Sequence, residues 1–263
     1  MLLEAKNISK TYRARRSSDT VQAVKDATLR ARPGEFVAIV GESGSGKSTL
    51  ARILLDLIPA SSGSVELDGK PITTLKRAGR THYRSVVQAV LQDPAGSLNP
   101  RKRVERTIGE VLRLHRIARS TSEVRAKVIE VLEQVGMSPA EPFLDRYPHE
   151  LSGGQRQRVL IARAIALNPK IVVADEAVSA LDASVKAGVL QVMADLKERR
   201  GVGYVFITHD LPLVKKVADY VYVMKSGEIV EHGPTESIFS APAHPYTQTL
   251  LAAAPVLRAP KRN

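Results

Sequence analysis

The sequence predicts an α/β fold with a mostly parallel core sheet, an N-terminal antiparallel β portion and an inserted helical subdomain. Residues 2–12 and 21–31 alternate between apolar and polar side chains, as paired strands do. From about residue 100 to 150, apolar side chains recur at helical spacing instead. Elsewhere, short β-rich runs alternate with helical runs, which is typical of a parallel sheet covered by helices.

The remaining elements are predicted from the same periodicities. Strands are expected at 35–40, 63–72, 86–93, 170–175 and 203–210, with a strand pair at 219–233. Helices are expected at 47–58, 104–117, 122–136, 159–167 and 183–200. The end of the chain is rich in proline and basic residues and is expected to fray.

Composition limits the function classes. The chain has 263 residues, 43% of them hydrophobic, which suits one large domain or a domain with a subdomain. The absence of cysteine excludes disulfides and thiolate metal sites. No apolar run approaches the length of a membrane span, and the start lacks a signal-peptide core, so a cytoplasmic chain is expected.

The net charge of +12 allows two interpretations. One is a polyanionic partner, and the other is a soluble basic surface. The basic clusters at 13–16 and 101–106 contain no aromatic side chains that could stack on bases. We therefore favour a basic surface, or a face near an anionic membrane, and expect no nucleic acid partner.

Residues 41–48 read GESGSGKS and match the phosphate-binding pattern G-x-x-x-x-G-K-[ST]. Its glycines let backbone N–H groups turn inward around a phosphate. Lys47 adds a positive charge near the β- and γ-phosphates, and the Ser48 hydroxyl can bind Mg²⁺. A plain glycine turn is the alternative, but the expected strand before the loop and helix after it favour a phosphate site.

Polar side chains also follow three of the expected strands. Asp175 ends the run IVVAD, where ligands of open α/β sheets bind, and can hold Mg²⁺. Glu176 is one residue further on and points elsewhere, which suits a base for the attacking water. His209 and Gln92 end two other strands. His209 could reach the γ-phosphate, and Gln92 could bind Mg²⁺ or water, although either could instead be structural.

A second loop poses a question. Residues 151–155 read LSGGQ and precede a helical run, so they too have the form of an anion-binding helix N-terminus. One chain thus carries two phosphate-shaped loops.

In this order, the motifs resemble those of the ATP-binding subunit of ATP-binding-cassette (ABC) transporters. The resemblance covers nearly the whole chain and rests on 41–48, Gln92, LSGGQ at 151–155, the acidic motif at 171–176, SALD at 179–182 and His209. It implies a P-loop NTPase fold in which two such domains pair head to tail. Each ATP would then lie between the phosphate loop of one domain and the LSGGQ of the other.

The resemblance also implies the ligands, which are ATP and Mg²⁺, and the residues that bind them. Tyr12 stands where the family has an aromatic ring that stacks on adenine. The implied ATP-binding residues are Tyr12, Gly41, Ser43, Gly44, Gly46, Lys47, Ser48, Thr49, Gln92, Ser152, Gly153, Gly154 and Gln155. The implied metal ligands are Ser48, Gln92 and Asp175, and the implied catalytic residues are Glu176 and His209.

The implied organisation is a single ABC domain over 1–263. Residues 1–92 and 161–235 would form a RecA-like core with a β subdomain, 93–160 the helical subdomain and 236–263 a C-terminal tail.

Two segments carry a finer resemblance, to importers of the oligopeptide, dipeptide, opine and nickel group. They are QDPAGSLNPRKRV at 92–104 and HPYTQTLL at 244–251. Some members have a C-terminal cysteine cluster, which this chain lacks, so an iron–sulfur cluster is excluded. Ala177 stands where many relatives have proline.

The resemblance implies a peripheral ATPase at the cytoplasmic face of the bacterial inner membrane. Its partners would be two membrane-spanning permease subunits, an extracytoplasmic solute-binding protein and a second ATPase subunit, for which we favour a paralogue over a second copy. The cargo would be peptides, nickel or a related small solute. The alternatives are an ABC ATPase acting on nucleic acid or ribosomes, and an exporter subunit.

Overall fold

The computed structural model describes residues 1–13, 20–91 and 94–253, without the side chains of 94 and 95. In these ranges the strands are β1 (Leu3–Arg13), β2 (Thr20–Ala31), β3 (Phe36–Val40), β4 (Ser62–Leu67), β5 (Lys70–Pro71), β6 (Val87–Val90), β7 (Ile171–Asp175), β8 (Gly203–Ile207), β9 (Tyr220–Lys225) and β10 (Glu228–Pro234).

The helices of the same ranges are α1 (Lys47–Leu54), α2 (Arg77–Val86), α3 (Pro94–Ser97), α4 (Val104–Leu114), α5 (Thr121–Gln134), α6 (Glu141–Leu144), α7 (Gly153–Ile165), α8 (Ala183–Arg200), α9 (Leu211–Val217), α10 (Thr235–Ser240) and α11 (Pro245–Ala252). Among the helices of the described chain, none is both long enough and apolar enough to cross a membrane.

The central sheet has six strands in the order β10-β9-β3-β8-β7-β6. β3 runs parallel to β8 and β9, and β7 runs parallel to β6 and β8. Only β10 is antiparallel, on β9. β3, β7 and β8 are buried at every position, as continuous apolar runs in a doubly covered sheet require. Their carboxyl ends therefore meet at one edge.

A second sheet, of four strands in the order β2-β1-β4-β5, is antiparallel throughout. Apolar side chains from both sheets and from α1 form one core, which includes Ile8, Val37, Leu50 and Val173. Helix α1 therefore lies between the sheets, with its N-terminus after β3.

Helices pack on the other face of the central sheet. Apolar side chains of α4, α5, α7 and α8 join those of β3, β6, β7 and β8 in one cluster, which includes Ile108, Val128, Leu160, Val172 and Phe206. A smaller cluster joins β3 and β9 to the C-terminal helices through residues such as Val40, Val221, Ile238 and Tyr246.

The predicted fold class is confirmed, with differences in detail. Residue 86, expected in a strand, ends α2, a helix that the sequence did not reveal because its only buried residue is Tyr83. Gln92 and the chain end after 253 lie outside the described residues. The division of the chain at 92, 160 and 235 stays a proposal, and α7 continues across residue 160.

Candidate nucleotide site

The phosphate loop leaves β3 and enters α1 through two glycines that no other residue could replace without movement. Gly41 has φ +149°, and a Cβ there would lie 2.1 Å from the Met224 carbonyl oxygen. Gly46 has φ +103°, and its Cβ would lie 2.2 Å from the carbonyl oxygen of Ala23. The loop is thus held against the backbones of β9 and β2, and glycine is what permits that approach.

Lys47 is the first residue of α1 and is only 4% exposed. Its Nζ donates to the carbonyl oxygens of Gly41 (2.8 Å) and Glu42 (2.7 Å) and to Ser45 Oγ (3.3 Å). Burial lowers the pKa of Lys47, against the opposing effect of nearby carboxylates. The loop thus curls around its own lysine.

The tip of the loop faces outward. Ser43 and Gly44 are exposed, and Thr49 is partly buried in the first turn of α1. Gly46 precedes that helix and has no side chain to cap it, so backbone N–H groups and the positive end of the helix dipole are directed at the loop. This is the arrangement in which helix N-termini bind phosphate.

Ser48 and Asp175 place two side-chain oxygens, both possible metal ligands, beside Lys47. Ser48 Oγ donates to Asp175 Oδ1 at 3.0 Å, although the two residues are 127 positions apart. Asp175 ends β7 and is 5% exposed. Burial raises the pKa of this carboxyl, the hydrogen bond from Ser48 opposes that rise, and Glu176 adds to it. Hydroxyl and carboxylate oxygens are ligands that Mg²⁺ prefers.

Glu176 turns away from the direction of β7. Its φ is +47°, in the left-handed region, and its N–H donates to the Ile207 carbonyl oxygen at 2.9 Å. Glu176 Oε1 lies 3.6 Å from His209 Nδ1, at the end of the neighbouring strand β8. Sheet order thus brings together two residues that the sequence places 33 positions apart.

Tyr12 lies on the other sheet. It is 40% exposed, and Lys10 Nζ lies 5.3 Å from the centroid of its ring. Tyr12 pairs with Val21, two positions before Ala23, whose carbonyl packs on Gly46. This part of the antiparallel sheet therefore lies beside the phosphate loop, with an aromatic ring available on it.

The LSGGQ loop is built separately, as the N-terminus of α7. Ser152 Oγ accepts from the Gln155 N–H at 3.2 Å, and Gln155 Oε1 accepts from the Ser152 N–H at 2.9 Å. This reciprocal capping box satisfies two N–H groups of the helix end. Ser152 is exposed, and in the described residues no hydrogen bond joins it or Gln155 to the phosphate loop.

Gly153 and Gly154 hold that loop against α8 and the segment before it. A Cβ on Gly153 would lie 3.2 Å from Leu181 Cδ2, whereas one on Gly154 would lie 2.5 Å from Val185 Cγ1. The structure thus brings five predicted site residues to one edge of the sheet: Lys47, Ser48, Asp175, Glu176 and His209. It places Ser152–Gln155 at the start of α7, beside α8.

Sequence reasoning missed one residue at the loop. Tyr246 of α11 accepts a hydrogen bond from the Glu42 N–H at 3.1 Å, across 204 positions of sequence. The HPYT stretch resembles the C-terminal segment of the importer group, but no spacing pattern in the sequence connects it with residue 42.

Comparisons with known proteins agree with this fold. The family described as ABC transporter matches residues 24–179, and the one described as Oligopeptide/dipeptide transporter, C-terminal region, matches 230–263. Among solved structures, the dimeric post-hydrolysis state of the ATP-binding cassette MJ0796 bound to ADP and Pi aligns with a TM-score of 0.77 at 31% identity. That alignment covers 89% of this chain and 98% of the other. The chain belongs to the ABC transporter family.

Its relatives include ATP-binding proteins of several transport systems. The chain is 45% identical to the glutathione import ATP-binding protein GsiA of Pectobacterium atrosepticum. The aligned region covers 92% of this chain and 38% of that protein. It is 42% identical to the oligopeptide transport ATP-binding protein OppF of Streptococcus mutans, over 97% of this chain and 82% of the relative. It is 46% identical to the peptidoglycan transport ATP-binding protein YejF of Agrobacterium fabrum, covering 97% and 47%. The chain thus spans less than half of two of these relatives.

Proposed function

We propose that the chain binds ATP with Mg²⁺ at the carboxyl edge of the six-stranded sheet and hydrolyses it. One observation carries the proposal: the buried Lys47 and the Ser48–Asp175 pair meet there, and Glu176 and His209 lie beside them. A cation, two oxygen ligands and a carboxylate are the parts that phosphoryl transfer to water requires.

The contacts assign a role to each part. The phosphates would lie in the loop at the start of α1, where Lys47 would exchange its 3.3 Å contact with Ser45 Oγ for a phosphate oxygen and keep its bond to the Gly41 carbonyl. Ser48 and Asp175 would hold Mg²⁺, with Gln92 as a further ligand, and the metal would supply charge neutralisation at the phosphates. Tyr12 would stack on adenine from the antiparallel sheet.

Glu176 would act as the base for the attacking water. Its backbone turns it away from Asp175, so one carboxylate serves the metal and the other remains near His209. His209, with 60% of its side chain exposed, would order the water or contact the γ-phosphate.

Ser152, Gly153, Gly154 and Gln155 would bind the ATP of a partner domain. The capping box presents Ser152 at the exposed N-terminus of α7, and among the described residues no hydrogen bond joins Ser152 to the chain's own phosphate loop. Two domains facing each other head to tail would each supply this end to the other's ATP. This explains why one chain has two phosphate-shaped loops.

The experiment is MgATP binding and hydrolysis by the purified chain and its Lys47→Ala variant. We expect Lys47→Ala to lose most of its ATP affinity, because the main positive charge on the β- and γ-phosphates is removed. Lys197→Ala is the matched control, since this lysine of α8 donates to Asp219, just before β9, at 2.8–2.9 Å, away from the loop. Unchanged affinity in Lys47→Ala would place the nucleotide elsewhere.

We further propose that this ATPase energises an importer at the cytoplasmic face of the bacterial cell membrane. The match of 230–263 to the oligopeptide/dipeptide transporter C-terminal region supports this, as do the similarities to a glutathione import protein and an oligopeptide transport protein. Two permease subunits, a second ATPase, preferably a paralogue, and an extracytoplasmic solute-binding protein would complete it. The names of the relatives favour peptides and peptide-like solutes over nickel as cargo.

Affinity purification from membranes of the native host tests this second proposal. Recovery of two multi-spanning membrane proteins with the chain supports it. Recovery with ribosomes or nucleic acid, and without membrane proteins, would contradict it in favour of the translation or repair class.

A further inference from the structure

The C-terminal HPYT stretch is built firmly into the fold. Its Tyr246 is 7% exposed and packs in the cluster formed by β3, β9 and the C-terminal helices. Glu231 of β10 accepts from the N–H groups of Ala243 (2.7 Å) and His244 (3.1 Å), just before α11 begins. His244 Nδ1 in turn accepts from the Tyr246 N–H at 3.1 Å. The first turn of α11 is therefore fixed to the end of the sheet.

The hydroxyl of Tyr246 reaches the phosphate loop. It accepts from the Glu42 N–H at 3.1 Å, while the Gly41 carbonyl oxygen accepts from Lys47 Nζ at 2.8 Å. The Gly41 carbonyl and the Glu42 N–H belong to the same planar peptide group. This peptide group is therefore bonded to Tyr246 through its N–H and to Lys47 through its carbonyl oxygen. A rotation of the peptide plane would break both hydrogen bonds.

We propose that Tyr246 is a positioning residue for Lys47, acting through the peptide between residues 41 and 42. The hydroxyl holds this peptide in the orientation whose carbonyl receives the ammonium group, and the linked hydrogen bonds polarise one another. The C-terminal segment thereby sets the geometry of the loop in which the phosphates would lie. The inference rests on the proposed function, since it concerns the same ATP site.

Tyr246→Phe tests this, because phenylalanine keeps the ring in its cluster and removes only the hydroxyl. Tyr222→Phe is the matched control: the Tyr222 hydroxyl also accepts a backbone N–H, that of Arg30, at 3.1 Å. We expect Tyr246→Phe to weaken MgATP binding by about three- to tenfold, the worth of one hydrogen bond. Tyr222→Phe should leave MgATP affinity unchanged.

A double variant separates positioning from packing. If Tyr246 acts through Lys47, adding Tyr246→Phe to Lys47→Ala should weaken MgATP binding further by much less than it weakens the wild type. Amide hydrogen exchange at Glu42 should also be faster in Tyr246→Phe, with the thermal midpoint close to that of Tyr222→Phe.

The inference would be overturned if the two phenylalanine variants bound MgATP with equal affinity. It would also be overturned if Tyr246→Phe weakened MgATP binding as much in the Lys47→Ala background as in the wild type. Either result would leave the ATP site in place. Absence of MgATP binding by the wild-type chain would instead overturn the proposed function, and the inference with it.

Discussion

Two adjacent carboxylates, Asp175 and Glu176, differ in almost every physical respect. Asp175 is buried and accepts a hydrogen bond from Ser48. Glu176 has a left-handed backbone conformation, and its carboxylate lies near the exposed His209. A left-handed conformation costs a residue with a side chain roughly 1–2 kcal/mol. In the proposed function, this left-handed turn would separate a metal ligand from a base at consecutive positions.

Glu176→Gln should stop ATP turnover and leave ATP binding intact. Glutamine keeps the shape of the side chain and lacks the basicity needed at the attacking water, so we expect a fall on the order of a hundredfold or more in kcat. Steady-state hydrolysis and equilibrium binding measure the two effects. Glu228→Gln is the control, because that carboxylate bonds Lys25 at 3.1 Å on the exposed β10. Near-normal hydrolysis by Glu176→Gln would show that Glu176 is not the base for the attacking water.

Asp175→Asn should stabilise the nucleotide-free protein. Burial raises the pKa of Asp175, so the folded state binds its proton more tightly than the unfolded state, and stability is lost as pH rises through the raised pKa. Asparagine avoids this cost and can still accept from Ser48. A gain of about 1 kcal/mol would raise the thermal midpoint by roughly 2–4 °C at neutral pH.

The advantage of Asp175→Asn should shrink as pH falls through the raised pKa and vanish below 3.8, the ordinary pKa of the aspartate side chain, because the wild-type carboxyl is then neutral in both states. With MgATP present the order should reverse, since the variant loses a metal ligand. Asp195→Asn, where the carboxylate accepts from Gln191 at 2.8 Å on α8, is the control. A neutral-pH midpoint below that of the wild type would contradict the burial argument.

At the scale of elements, α7 and α8 are held in register by the glycines of LSGGQ. Val185 packs into the space that a Cβ at Gly154 would fill. Leu181 lies further from the position of a Cβ at Gly153, so that contact is looser. The loop is therefore a packing device as well as a capped helix N-terminus. The sequence suggested only the second feature.

Gly154→Ala should destabilise the protein, whereas Gly153→Ala should be close to neutral. The new methyl at 154 would meet Val185 Cγ1 at 2.5 Å, and such overpacking costs about 1–3 kcal/mol. At 153 the nearest atom is the end of the Leu181 side chain at 3.2 Å, which can move, and alanine favours the helix. Denaturant unfolding of both variants makes the comparison. Equal effects would show that the α7–α8 contact is not tight.

At the scale of the whole molecule, the two phosphate-shaped loops lead into helices on opposite faces of the central sheet. The phosphate loop leads into α1, which packs with Val37 and Val173, whereas LSGGQ leads into α7, which shares a cluster with Val172 and Phe206. An LSGGQ loop that completed its own chain's site would need contact with the phosphate loop, whereas in the described part of the chain the side chains of Ser152 and Gln155 accept from each other's backbone N–H groups. In the proposed pairing, each domain would bring its LSGGQ loop to the phosphate loop of the other.

Ser152→Arg should leave ATP binding by the isolated chain close to that of the wild type and abolish hydrolysis in the assembled complex. Arginine would block closure, and hydrolysis needs donors around the γ-phosphate from both sides. Ser152→Ala is the control, because it loses the cap, worth about 0.5–2 kcal/mol, without adding bulk. Loss of ATP binding by a folded, isolated Ser152→Arg chain would refute the two-domain arrangement.

Local patterns accounted for most elements and for the motif residues. Continuous apolar runs predicted β3, β7 and β8, because a doubly covered strand must be apolar on both faces. Helix α2 escaped prediction, since one buried residue leaves no apolar period to recognise. The roles at the ATP site stay predictions until the variants are measured.

By itself, the sequence determined the fold class, the strand ends that bear polar residues and the helix start at Lys47, because each depends on neighbours within a few positions. The tertiary structure decided the rest. Sheet order placed Glu176 beside His209, the α7–α8 contact required Gly154, and α11 brought Tyr246 to the Glu42 N–H. These contacts join residues far apart in the chain, and their distances follow from packing, which no local period encodes.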